Sequence, residues 1–376
     1  MTKRLVLIAT IAMMANGAFA SKARMTALSS TPAITDVQSI FSNPADVNYV
    51  GEFATFEMGE TATTPATVVN AIPNAEGGFL QSMGDAKWGF YLGKQSLAIN
   101  DSRYRATEAT GVTFLTQKNP FDVYYGSKAG DMSWGLDFNF SNSDERSTTS
   151  KQGSMALGLG VKTDVWGAYA NIGLGSTSQV GDAKYNGTQG LAFAGHYYVD
   201  AIKLYAKQEM FAANATDASA AKLYEFATSI TTLGMTNKWK QDANSIFYGL
   251  ALKMTTADNK KAYTHTSPVT AAVDTTGAAA KVDAMELPVH IGMEVDAASW
   301  LTLRGSITQN VFLGTKKITP NGGTGVTDTI SENTTTAAGA GFKFGKNNLD
   351  FVMVAGVSGA VAFDNLGAQA SYTYMF

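Results

Sequence analysis

Three histidines, His196, His265 and His290, supply every imidazole in this 376-residue chain, and there is no cysteine. Hydrolytic chemistry would need an imidazole within reach of a hydroxyl, with a third group to orient it. His265 has Ser267 two residues away in a Thr-rich stretch, His196 sits among tyrosines, and His290 neighbours Gly292. None of these offers the set of partners an acyl-transfer site requires. A metal site would want clustered His or carboxylates, and no such cluster recurs. No enzymatic activity, metal or cofactor is therefore expected.

The informative polar residues are instead charges at alternating positions. Lys87, Asp137, Lys162, Lys203, Lys207, Glu209, Lys253, His290, Glu294, Arg304 and Lys343 each fall on the side of their segment opposite an apolar set. Glu57, Asp122, Glu225, Asp296 and Asp350 share that placement, so the two signs are roughly balanced. A polar interior of this kind suits a water-filled channel, whereas a ring of one sign would impose ion preference. The competing reading is that these charges pair with one another as structural ion pairs. Small inward residues such as Gly158, Gly160, Gly249 and Gly292 leave room for water or for a plug. Gly158-Leu159-Gly160 is no nucleotide loop, because no helix follows it.

Period-2 segments must carry those charges. Met132, Trp134, Leu136, Phe138 and Phe140 oppose Ser133, Gly135, Asp137, Asn139 and Ser141. The same alternation runs through 155–162, 246–254, 287–296 and 301–308. Such segments are strands with one apolar and one polar face, each about long enough to cross a bilayer at a tilt. No later stretch approaches the ~20 apolar residues of a membrane helix. A spanning chain without one has to close into a barrel.

Connections sort by length. Short ones fall near Gly84-Asp85, 128–130, Thr163-Asp164, Val199-Asp200, 240–242, Ala297-Ala298 and Lys346-Asn347. Longer polar stretches at 60–75, 94–119, 142–152, 176–187, 211–221, 256–286, 312–334 and 358–366 alternate with them. That rhythm predicts an all-β, antiparallel transmembrane barrel of about 16 strands, with 14 as the alternative. Short turns would face the periplasm and long loops the exterior. The 256–286 and 312–334 loops either fold inward as a constriction or stay exposed. Trp88, Trp134, Trp166, Trp239 and Trp300 all flank short turns, as an interfacial aromatic girdle would. A secreted β-sandwich or solenoid would need neither the rhythm nor the ring.

The two ends agree. Lys3 and Arg4, an apolar run from Leu5 to Met14, and Ala18-Phe19-Ala20 make a secretory signal peptide over residues 1–20. Its removal takes the formal charge from −3 to −5, since two cations and no acids lie in it. With 16% charged residues and no basic cluster, a nucleic-acid partner is excluded. The closing alternation of Tyr372, Tyr374 and Phe376 resembles the assembly signal of bacterial outer-membrane barrels, porins among them.

Residues 21–49 read differently. Ile34, Val37, Ile40 and Phe41 recur near helical spacing, and Asn43-Pro44-Ala45 ends that run ahead of the first strand. Over residues 24–58 this arrangement is similar to the long-chain fatty-acid transporter family, which implies a luminal hatch. That family has fourteen strands, and its ligand-binding residues have no match here. Ser21-Lys22-Ala23-Arg24 with Phe41-Ser42-Asn43-Pro44-Ala45 also resembles the major outer-membrane proteins of predatory bacteria. A luminal plug and a short periplasmic tether both remain open, with residues 50–376 as the barrel.

The expected function is a porin for passive diffusion of small hydrophilic solutes in a Gram-negative outer membrane. The alternatives are a hatch-plugged transporter of hydrophobic compounds such as fatty acids, or a structural barrel without an open pore. Expected partners are outer-membrane lipid and lipopolysaccharide, the barrel assembly machinery and small solutes, with a homotrimer left open.

Overall fold

Alternating faces need a surface to separate, and the ring of strands supplies it. The computed structural model describes residues 21–59, 74–241, 243–260, 280–330, 334–356 and 366–376. The strands are β1 (Phe53–Gly59), β2 (Asn74–Met83), β3 (Ala86–Leu92), β4 (Phe121–Ala129), β5 (Met132–Glu145), β6 (Ser150–Lys162), β7 (Trp166–Val180) and β8 (Ala183–Val199). They continue as β9 (Ile202–Thr216), β10 (Lys222–Gln241), β11 (Asn244–Asn259), β12 (Ala280–Ala298), β13 (Leu301–Pro320), β14 (Val326–Thr329), β15 (Thr335–Phe344), β16 (Asn347–Gly356) and β17 (Leu366–Met375). Each pairs antiparallel with its neighbour, and β1 closes the ring by pairing with β2 on one side and β17 on the other. Sixteen strands form the wall. The extra strand β14 hangs on the outer end of β13, while β13 continues round the ring to β15. Closure leaves no unpaired edge, which the hydrocarbon would not tolerate.

The short-turn end follows the sequence reading, but the other end departs from it. Much of the expected loops at 142–152, 176–187 and 211–221 is strand, with Ser176 to Val180 still paired to Ala183 to Gly187. Beyond the hydrocarbon, an outward side chain has no reason to be apolar, so alternation fades while the backbone ladder continues. At 312–330 the chain forms the exposed β13–β14 hairpin rather than an inward constriction, and Phe312 is 98% exposed. Residues 261–279, with His265, and the expected signal peptide at 1–20 lie outside the described residues.

The inward constriction comes from 94–119 instead. Helix α2 (Leu97–Thr110) starts at Ser96, whose side chain accepts from the Ile99 N–H, and stops at Gly111 in the left-handed region. Ala106 and Phe114 pack on Ala183, Tyr185, Ala213, Ala215 and Tyr224, inward residues of β8–β10. Arg103 donates to Gln152 Oε1, the Gly153 and Thr177 carbonyls and Ser176 Oγ, so the helix lies inside the long-strand end.

At the short-turn half, the N-terminal segment also lies inside the ring. It comprises α1, the first helix among the described residues (Lys22–Ala27), and 3-10 turns over Val37–Phe41 and Pro44–Asn48. Ser21 caps α1, Asp36 and Ser39 form a capping box, and Asn43 caps the turn that Pro44 begins.

Candidate functional site

The outer wall carries Phe56, Met58, Leu92, Phe138, Leu159, Leu204, Leu250, Ile291, Met293 and Met353, all exposed. A closed ring with such a belt has lipid as its outer solvent. Trp88, Trp166, Trp239 and Trp300 are exposed on it near the short turns, and half-buried Trp134 lies 5.6 Å from Tyr125, ring to ring. Tyr372 and Phe376 are outward and exposed on the same rim, with Tyr374 packed edge-on to Phe376 at 5.4 Å. The chain is an outer-membrane β-barrel.

Its inner wall meets protein before it meets solvent. Lys87 donates to the Val50 carbonyl, and Lys203 to that of Pro32 at 2.8 Å. Lys162 pairs with Asp46 at 2.5 Å and donates to Thr35 at 3.0 Å. His290 Nε2 lies 2.9 Å from Thr31 Oγ1, and Glu294 takes a bidentate pair from Arg24 at 2.8 and 3.0 Å. Arg304 joins the same carboxylate at 2.6 Å and continues to Asp350, which accepts from Ser21 Oγ at 2.7 Å. Asp137 is buried in the wall beside Gly158. Lys207 with Glu209 (2.8 Å), Lys253 with Glu286 (3.2 Å) and Lys343 with Asp296 (3.0 Å) pair along the wall itself, as Arg304 does with Glu294 and Asp350. Four of the eleven expected lining residues, Lys162, Lys203, His290 and Glu294, therefore bond to the segment directly, and Lys87 bonds to Val50 just beyond it.

The seat is complementary in shape as well. Asn43, Pro44 and Ala45 sit in a bay of glycines. A Cβ on Gly135 would overlap the Pro44 carbonyl, and one on Gly160 would overlap the Asn43 side chain. At Gly126 it would meet Val47 Cγ2 at 2.5 Å, and at Gly158 the Pro44 ring at 3.0 Å. Around the bay, Val37, Ile40, Val47 and Val50 pack on inward Phe53, Leu80, Tyr91 and Tyr124. Ala23 and Ala27 pack on Ala337, Val352 and Val354, while Leu28 and Ile34 meet Phe247. These inward apolar side chains went unread in the sequence. Met375, between outward Tyr374 and Phe376, packs on the cluster around Val50 and Phe53.

One sector is not sealed. Among the described residues no hydrogen bond joins the segment to β8. A cavity of about 560 Å³ lies there, between the segment and β7–β9. Ile34, Phe41, Tyr169, Ala194, His196 and Tyr205 supply ring and aliphatic surface, and lysines supply the charge. The ring of His196 packs edge-on to Tyr198 at 5.5 Å. Neither His196 nor His290 has a serine and carboxylate arranged around it as a triad would.

Burial pushes the Asp36 carboxyl up to about 7, against the opposing pull of the Arg24 guanidinium 3.9 Å away and the Gln38 N–H. In a released segment it would titrate near ~4. The seated state thus binds the proton more tightly. Its contribution to seating is full below ~4, is lost progressively toward about 7, and is level above that. Protease protection of the segment should fall between pH 4 and 7, and Asp36→Asn, which keeps the cap, should flatten that fall. An equal slope in Asp36→Asn would assign the titration elsewhere.

No family model and no curated protein matches the chain. Among solved structures it is similar to the toluene transporter TbuX of Ralstonia pickettii, at 11% identity over 96% of this chain and 99% of that one, with a TM-score of 0.44. The toluene transporter TodX of P. putida gives 11% identity, the same coverage and a TM-score of 0.41. The CymD monoaromatic hydrocarbon channel gives 10%, over 94% and 97%, with a TM-score of 0.42. At scores this low the likeness carries no argument about the contents of the lumen.

Proposed function

We propose that the chain is a hatch-plugged outer-membrane transporter, in which residues 21–49 occlude the lumen and small compounds pass beside them along β7–β9. The observation that carries this reading is the seating itself: the segment hydrogen-bonds or ion-pairs with β1, β2, β5–β7, β9, β10, β12, β13, β16 and β17 and packs on β3, β4, β11 and β15, and a cavity lies beside β8. An open water-filled pore fits poorly with inner charges already engaged by that segment. The apolar side chains in the cavity favour solutes with an apolar body over fully hydrated ones.

Planar-bilayer recording tests both halves. Deleting residues 22–45 should raise the unit conductance several-fold in barrels that still show folded, heat-modifiable migration. Unchanged conductance would remove the hatch. Ser29 and Ser306 have hydroxyls 2.7 Å apart, and the chain has no native cysteine to interfere. A Ser29→Cys/Ser306→Cys disulfide should therefore lock the segment while passage persists at the wild-type level. Passage that stops on oxidation and returns on reduction would mean that the segment has to leave its seat.

A further inference from the structure

The cavity beside β8 has a charge imbalance that its seating role does not use. Five ammonium groups line it, from Lys22, Lys94, Lys162, Lys203 and Lys207, against the single carboxylate of Asp46. Three of the five are neutralised: Lys162 by Asp46, Lys22 by Glu76 at 2.8 Å and Lys207 by Glu209 at 2.8 Å. The other two hydrogen-bond to neutral oxygens. Lys94 donates to Gln38 Oε1 at 2.9 Å, and Lys203 to the Pro32 carbonyl at 2.8 Å. Each ammonium also lies near an aromatic face, Lys94 at 4.4 Å from the Phe41 centroid and Lys203 at 5.8 Å from that of Tyr198.

We propose that this cavity binds a small organic dianion with an apolar body, its charge taken by Lys94 and Lys203 and its body by the rings of Phe41 and Tyr205. The assignment rests on the transport reading for its biological sense and names the solute class for that site. The physical reason is desolvation. An ammonium withdrawn from water and given only neutral acceptors is under-compensated, and each retains donors for a charge-assisted bond. Burial lowers the Lys94 ammonium below its ordinary value despite the opposing pull of Glu76, Glu57 and Asp122, a penalty that an arriving anion offsets further. Low-dielectric walls focus the surplus positive potential into the cavity.

The test measures binding to the purified full-length chain, so it reads out whether or not transport follows. Calorimetric titration with phthalate and with phenyl phosphate should give saturable binding, and the neutral ester dimethyl phthalate should bind at least about tenfold more weakly. A tighter fit of phthalate assigns two separated carboxylates, and of phenyl phosphate a single dianionic head; both keep the dianion. Lys94→Gln and Lys203→Gln should each weaken the better ligand about tenfold or more. Lys240→Gln, at the exposed end of β10 outside the cavity, should leave it unchanged. Equal binding of ester and dianion, no binding of either dianion, or unchanged affinity in both lysine variants would overturn the proposal. The ester comparison needs no variant and stands even if one fails to fold.

Discussion

Gly160→Val should expel the Asn43-Pro44-Ala45 turn from its bay. The first added carbon already overlaps the Asn43 side chain and comes 2.8 Å from the Ala45 nitrogen, so part of the clash is with backbone that no rotamer change relieves. Overpacking of this kind costs roughly 3 kcal/mol, about a hundredfold in the seating equilibrium. The barrel should still fold, because outward residues and ladder partners of β6 are unchanged. Trypsin should then cut after Lys22 and Arg24 in folded barrels, and unit conductance should rise toward that of the 22–45 deletion. Gly175→Val is the matched control, since a Cβ there meets nothing within 4 Å. Full protease protection in Gly160→Val would show that the turn is not held in the glycine bay.

Arg24→Ala should be at least as damaging, for an electrostatic reason. Arg24 is 5% exposed and spans Glu294 and Asp36, tying α1 and the Val37–Phe41 turn to β12. Glu294 keeps Arg304 when Arg24 is removed, but Asp36, fully buried, loses the one cation that pairs with it among the described residues. Breaking a buried pair from one side costs about 3–5 kcal/mol. Hydrogen exchange across residues 21–50 should report that loss, with exchange slowing again in acid as Asp36 takes up a proton. Arg24→Lys should recover only part of the protection, because a single ammonium cannot reproduce the bidentate contact. Wild-type exchange in Arg24→Ala would place the latch on Arg304 and Asp350 instead.

The limits of the sequence reading fall on particular residues. Lys162 pairs with Asp46 and Glu294 with Arg24, and nothing in the alternation distinguishes a charge facing water from one facing such a partner. Phe247, Leu80 and Val352 break the polar-inside rule, and such breaks were the available signal that something apolar sits in the lumen. Helix α2 gave less warning. Its interior is Ala, Thr, Ser and Arg, polar enough to read as an exterior loop, and the burial of Arg103 depends on carbonyls and hydroxyls of β6 and β7. The outer hairpins were read as loops because the lipid that enforces alternation is absent there.

Two solvents acting on opposite sides of each strand write a period of 2 into the chain, so the antiparallel barrel, its approximate strand number and its short turns could be read from the sequence. The occupancy of the lumen could not. It depends on closure bringing β4–β6, β12–β13 and β16–β17 around one point, so that Gly160, Glu294 and Asp350 meet a segment that precedes them by more than a hundred residues. Contacts at that separation leave no local period. The glycine bay, the Arg24 latch and the lysine-lined gap beside β8 exist only once the ring has closed.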